Sequence, residues 1–188
     1  MMKNKRYPHG FTLIEMLVVV LIVGILAGIA LPQYQLAVDK TKFAKLQSAA
    51  KNIADAYIRY NLVNNTYPAN MSFLDIDLPG DYEETNPKQN INCRVYSDFY
   101  CCIIKPILQN SYGDIVCGNK DYSFIYYRRI FQDDGSFALQ QQCRPKSDNK
   151  RAERLCEHLS TYCSSDQKAL GPYEGSLSGY KTCWLKKS

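Results

Sequence analysis

From Phe11 to Leu31 the only polar residues are Thr12 and Glu15. As an α-helix this run rises about 31 Å, enough to cross the hydrocarbon core of a bilayer. The exception within it is Glu15, because a carboxylate in an apolar stretch costs a few kcal/mol and marks a functional position with a partner. A cut after Gly10 would supply that partner. It would leave a free amine on Phe11, one helical turn from Glu15 and on the same face.

The residues around this run form a recognisable set. A leader with Lys3, Lys5 and Arg6 ends in Gly10, Phe11-Thr12-Leu13-Ile14-Glu15 follows, and Pro32 closes the apolar segment. This set resembles the class III signal of type IV pilins and type II secretion pseudopilins, over roughly the first third of the chain. The resemblance implies an α+β pilin fold: one long N-terminal helix against an antiparallel sheet of three to four strands, with a disulfide-tied C-terminal region. It implies a leader over residues 1–10, a transmembrane and filament-core half of the helix over 11–31, an amphipathic half over 32–63, and a globular head over 64–188. A prepilin peptidase would cut between Gly10 and Phe11 and methylate the Phe11 amine. The subunit would wait as a single-pass inner-membrane protein with its head in the periplasm. An inner-membrane assembly platform would then join it to identical or related subunits in an extracellular filament.

Within such a filament Glu15 would set axial register by meeting the Phe11 amine of a neighbour, since an unpaired buried charge is penalised by several kcal/mol. The alternative is that Glu15 serves its own helix, through its own Phe11 amine or the helix N-terminus. Gly24, Gly28 and Pro32 weaken the helix interior. They serve either close helix packing or local melting when a filament is stretched, and the resemblance leans toward melting.

Charge and cysteine content narrow the function. Removing residues 1–10 takes away Lys3, Lys5 and Arg6 and no acid, so the formal charge of +5 falls to +2. No dense basic stripe remains to neutralise phosphates, which argues against a nucleic-acid partner. All eight cysteines lie between Cys93 and Cys183, an even count that reads as a disulfide framework in a non-cytoplasmic head. Zinc is disfavoured because no C-x2-C pair exists and His158 is the only histidine beyond the leader. The positive-inside tendency puts the leader in the cytoplasm, although Lys40, Lys42 and Lys45 offset it beyond the other end.

Beyond Pro32 the pattern turns amphipathic. Phe43, Leu46, Ala50, Ile53, Ala54, Tyr57 and Tyr60 recur at steps of three and four, which predicts a helix from about Thr12 to about Leu62. Residues 64–92 hold Pro68, Pro79, Gly80 and Pro87 and read as a loop, with at most a helical turn around Ser72 to Ile76. The sequons beginning at Asn64 and Asn70 carry little weight for glycosylation. Strands are expected over Arg94 to Lys105, Tyr122 to Phe131 and Ser136 to Cys143, with a turn at Asp133-Asp134-Gly135. That turn explains the paired aspartates without calcium, and no metal or cofactor is expected. A short helix follows from Asn149 to about Ser160, then a Gly- and Ser-containing loop, then a last edge strand over Tyr180 to Leu185.

If Arg94 to Lys105 is one strand, Cys93 and Cys101 lie about 26 Å apart and cannot bridge. Cys101 and Cys102 point to opposite faces and take different partners. On the resemblance to pilins that close their C-terminal region by a disulfide, Cys143 pairs with Cys156 and Cys163 with Cys183. The partners of Cys93, Cys101, Cys102 and Cys117 stay open.

The reading is a structural subunit of a type IV pilus or pilus-like filament, with no catalytic activity. A type II secretion pseudopilin is the nearest rival. A secreted disulfide-rich binding domain is a rival from another class, its apolar run serving as an ordinary signal cleaved at Gly28-Ile29-Ala30. No triad, dyad or metal constellation supports an enzyme, and His158 reads as a surface residue.

Overall fold

The computed structural model describes residues 11–68, 70–77, 82–86, 91–104, 113–121, 123–130, 140–164 and 180–186. The chain divides into two compact units, residues 1–38 and 39–188.

The dominant element is helix α1, Leu13–Asn64. It passes through Gly24, Gly28 and Pro32 without interruption, as the predicted helix from about Thr12 to about Leu62 requires. The physical reason is that each glycine costs only about 1 kcal/mol, and the proline removes a single hydrogen-bond donor from a ladder that continues on both sides. The helix stops where Asn65 turns into the left-handed region (φ 51°) and donates its N–H back to the Asn61 carbonyl at 2.8 Å. Tyr67-Pro68 then carries the chain away.

Eight described strands form one antiparallel sheet: β1 Tyr82–Asn86, β2 Ile91–Val95, β3 Phe99–Ile104, β4 Asp114–Asn119, β5 Phe124–Arg129, β6 Gln141–Pro145, β7 Ser160–Ser164 and β8 Thr182–Leu185. Their spatial order is β1-β2-β3-β4-β5-β6-β8-β7. Of the stripe of α1 that the period predicts, Phe43, Leu46, Ala50, Ile53, Ala54 and Tyr57 are buried, and Tyr60 at its end is half-buried. Phe43 packs edge-on against Tyr126 (5.6 Å) and tilted against Phe124 (6.0 Å), which places the even-numbered side chains of β5 on the helix side of the sheet. Lys45 extends over the Phe99 ring at 5.0 Å and reaches Asp98 at 2.7 Å. Ile104, Val116, Ile125 and Tyr127 form a second buried cluster on the other face, with Tyr180 against it.

Helix α2, Lys150–Leu159, is capped by Asn149, whose side chain accepts from the Arg151 and Ala152 N–H groups. Ala152, Leu155 and Cys156 face inward. Arg151 grips the buried carboxylate of Asp39 in two-pronged fashion, at 2.5 and 2.9 Å, and so ties α2 to α1.

All eight cysteines are bonded: Cys93–Cys102, Cys101–Cys117, Cys143–Cys156 and Cys163–Cys183. Three of these join residues directly opposite each other on neighbouring strands, β2 to β3, β3 to β4, and β7 to β8. The vicinal Cys101 and Cys102 therefore point to opposite faces and reach different strands.

The sheet departs from expectation in several places. It has eight strands rather than three to four, because β1, β4 and β7 carry no clean alternation. Arg94 to Lys105 is not one strand: Tyr96-Ser97-Asp98 folds it into the β2–β3 hairpin, closed by the Tyr96 N–H donating to the Phe99 carbonyl at 2.8 Å. Cys93 and Cys101 stay apart because they face opposite sides, not because of distance along a strand. The stretch from Asn64 to Asn92 holds a 3-10 turn at Met71–Phe73, β1 and the start of β2. β8 is an inner strand, since β7 lies outside it. The leader through Gly10, the turn at Asp133-Asp134-Gly135 and the loop over 165–179 lie outside the described residues.

Candidate functional site

The start of α1 is a capping box built by Thr12 and Glu15. The Glu15 N–H donates to Thr12 Oγ1 (3.3 Å), while Glu15 Oε2 accepts from the Thr12 N–H (2.8 Å) and the Thr12 hydroxyl (2.7 Å). One carboxylate oxygen thus satisfies donors that begin a helix without partners. Phe11 precedes this box with its side chain exposed, so a free amine there would sit beside a carboxylate already held in place. Sequence reasoning placed Glu15 on this face but missed the reciprocal Thr12 bonds. The signal was the Thr-x-x-Glu spacing itself.

From Phe11 to Leu31 every side chain is exposed, and the most apolar 18-residue window has a mean hydropathy of 2.8 with none of it buried. This helix is long and apolar enough to cross a membrane. Gly24 and Gly28 lie on its open surface, with no atom within 4 Å of where a Cβ would stand.

In the unit formed by residues 39–188 the charged groups converge mainly beneath the sheet face that α1 does not cover. The Tyr127 hydroxyl donates to Asp114 Oδ2, Arg129 Nε lies 3.6 Å from Asp114 Oδ1, and the Arg144 guanidinium stacks on the Tyr127 ring at 4.2 Å. Arg144 also donates twice to Gln142 Oε1, at 2.8 and 3.0 Å. Burial pushes the Asp114 carboxyl up to about 6, against the opposing pull of Tyr127, Arg129 and Arg144. Among the described residues no three His, Cys, Asp or Glu side chains gather to hold a metal ion. A cleft of about 530 Å³ within this unit runs beside α1 past Lys45, Asn52 and Arg59 to Tyr96 and Phe99. It is open to solvent.

The chain presents an exposed apolar helix, capped at its start by Thr12 and Glu15 and followed by a disulfide-rich sheet. Residues 5–31 match the prokaryotic N-terminal methylation motif. The chain is 41% identical over 72 residues to the type II secretion system core protein G of Pseudomonas aeruginosa, covering 38% of this chain and 51% of that one. It is 36% identical over 88 residues to a fimbrial protein of Neisseria meningitidis (43% and 50%), and 34% identical over 83 residues to the type IV major pilin protein PilE1 of Neisseria gonorrhoeae (40% and 37%). The chain spans about half the length of the curated relatives it matches first. No solved structure matches it. Over this N-terminal region the chain is similar to type IV pilins and type II secretion pseudopilins.

Proposed function

We propose that this chain is a structural subunit of a type IV pilus or pilus-like filament, polymerising through α1 after removal of residues 1–10. The observation that carries the reading is the uncovered apolar helix from Leu13 onward, held at its start by the Thr12–Glu15 box. Water cannot be the resting environment of so much apolar surface. At about 25 cal/mol per Å², covering it first with lipid and then with neighbouring helices is a strong cohesive term.

The proposed sequence of events follows from this chemistry. A prepilin peptidase cuts between Gly10 and Phe11 and methylates the Phe11 amine. The helix stays in the inner membrane with the head in the periplasm. The assembly platform then lifts each subunit into contact with identical or related ones. Glu15 meets the Phe11 amine of the neighbour, trading its bonds to Thr12 for an ion pair out of water. An acid left without that pair is penalised, so register is set. Gly24, Gly28 and Pro32 would let α1 melt locally between them when the filament is stretched.

The type II secretion pseudopilin is a second reading, favoured by the 41% identity to core protein G. Comparing Glu15→Ala with the unaltered chain tests the shared mechanism. The variant should remain in the membrane fraction and yield fewer sheared filaments, and normal filament yield would refute the register role.

A further inference from the structure

The strand registers align the cysteines in a single row across the helix side of the sheet. Cys101 on β3 opposes Cys117 on β4, which opposes Tyr126 on β5. Tyr126 opposes Cys143 on β6, which opposes Cys183 on β8, and Cys183 opposes Cys163 on β7. The row is interrupted once, at β5, where a tyrosine stands between cysteines. On the other face Cys93 and Cys102 add a bond between β2 and β3.

The covalent consequence is a division. Cys93–Cys102 and Cys101–Cys117 lace β2, β3 and β4 into one closed block. Cys143–Cys156 closes β6 with α2, and Cys163–Cys183 closes β7 with β8. Between Cys117 and Cys143 there is no crosslink, and β5 lies in that interval. Here β4, β5 and β6 are held by backbone hydrogen bonds, by Phe43 of α1 against Phe124 and Tyr126, and by the buried cluster of Asp114, Tyr127, Arg129 and Arg144. That cluster has a member on each of the three strands, so the main buried polar contacts span the seam that lacks disulfides.

We infer that the head is a load-limiting device: under tension it yields at β5, by a bounded length, while the blocks on either side stay closed. The inference concerns the chain itself; that tension reaches the head in the cell rests on the filament reading. A disulfide is not broken by the loads that unzip a strand, so the residues enclosed by the four bonds cannot contribute extension while the cysteines remain oxidised.

The test is single-molecule stretching of the full-length chain in detergent, with ligation tags after Asn65 and at the C-terminus. At about 3.6 Å per residue, opening the seam from Cys117 to Cys143 releases about 90 Å, and complete extension of the oxidised head gives about 250 Å. Adding a reductant should raise the total by about 180 Å. Tyr127→Phe, which removes the hydroxyl bond to Asp114, should lower the force of the 90 Å event without changing its length. Replacing Cys143 and Cys156 by serine should lengthen the oxidised total by about 40 Å. Release of the full reduced length in oxidising buffer, or no gain on reduction, would overturn the inference. So would a seam force indifferent to Tyr127→Phe. The result does not depend on filament formation, so it can fail or hold separately from the pilin reading.

Discussion

Asp114 gives the sharpest test of the energetics of the head. Its carboxyl is buried at the start of β4, with Oδ2 accepting from the Tyr127 hydroxyl and Oδ1 without a hydrogen bond among the described residues. Burial raises it to about 6, against 3.8 for the free side chain, although Tyr127, Arg129 and Arg144 all pull the other way. The sign of the linkage follows. Between pH 4 and 6 the folded chain keeps a proton that the unfolded chain has lost, so stability is greatest below about 4 and falls as pH rises toward 6. Two units of displacement correspond to about 3 kcal/mol, an upper figure because Asp114 sits beside two arginines. Asp75 and Asp98 are lowered by Arg59 and Lys45, and their stabilisation is lost only as pH drops below 4, outside this window. Urea unfolding of the oxidised full-length chain in detergent from pH 4 to 7 reads the effect. Asp114→Asn should flatten the decline while leaving the rest of the profile in place. If stability instead climbed from pH 4 to 6, and that climb vanished in Asp114→Asn, the arginines would dominate burial and the reasoning would be refuted.

Other expectations follow from single contacts. Phe43→Ala empties the space against Phe124 and Tyr126 and should cost about 3–5 kcal/mol in the same unfolding assay. Arg151→Met strands the buried Asp39 carboxylate and should cost about 1–3 kcal/mol, whereas Lys45→Met, whose partner Asp98 is half exposed, should cost under about 1 kcal/mol. Gly118→Val should destabilise the sheet, because a Cβ there would lie 2.5–2.9 Å from the Tyr100 ring and hydroxyl; Tyr100→Ala in the same chain should recover part of the loss. Peptide mapping without reduction should recover Cys101 linked to Cys117 and Cys93 linked to Cys102, and finding Cys101 joined to Cys93 would contradict the strand register.

The helical half of the fold was readable because its signals are local. Phe43 to Tyr57 repeat at the helical period, Asn65 and Pro68 stop the helix, and Asn149 starts α2. The sheet was harder to read for physical reasons. β4, Asp114–Asn119, is buried on both faces, so it lacks alternation, and it contains Asp114, Gly118 and Asn119, residues that normally argue against a strand. Its Gly118 is there because Tyr100 lies across it. The β2–β3 hairpin turns on Tyr96-Ser97-Asp98, with neither glycine nor proline to announce it. β7 begins at Ser160, the residue directly after the end of α2, leaving no loop to mark the change. The cysteine row was invisible for the same reason, since it exists only once every strand register is known. At the N-terminus the Thr12–Glu15 spacing was present in the sequence, and the helix start it builds could have been read from it.

The central claim is that the apolar helix survives processing and becomes the spine of a polymer. Intact-mass and N-terminal analysis of the subunit recovered from sheared filaments tests it directly. The account predicts a chain beginning at N-methylated Phe11. A chain beginning at Leu31, with the apolar segment gone, would contradict it.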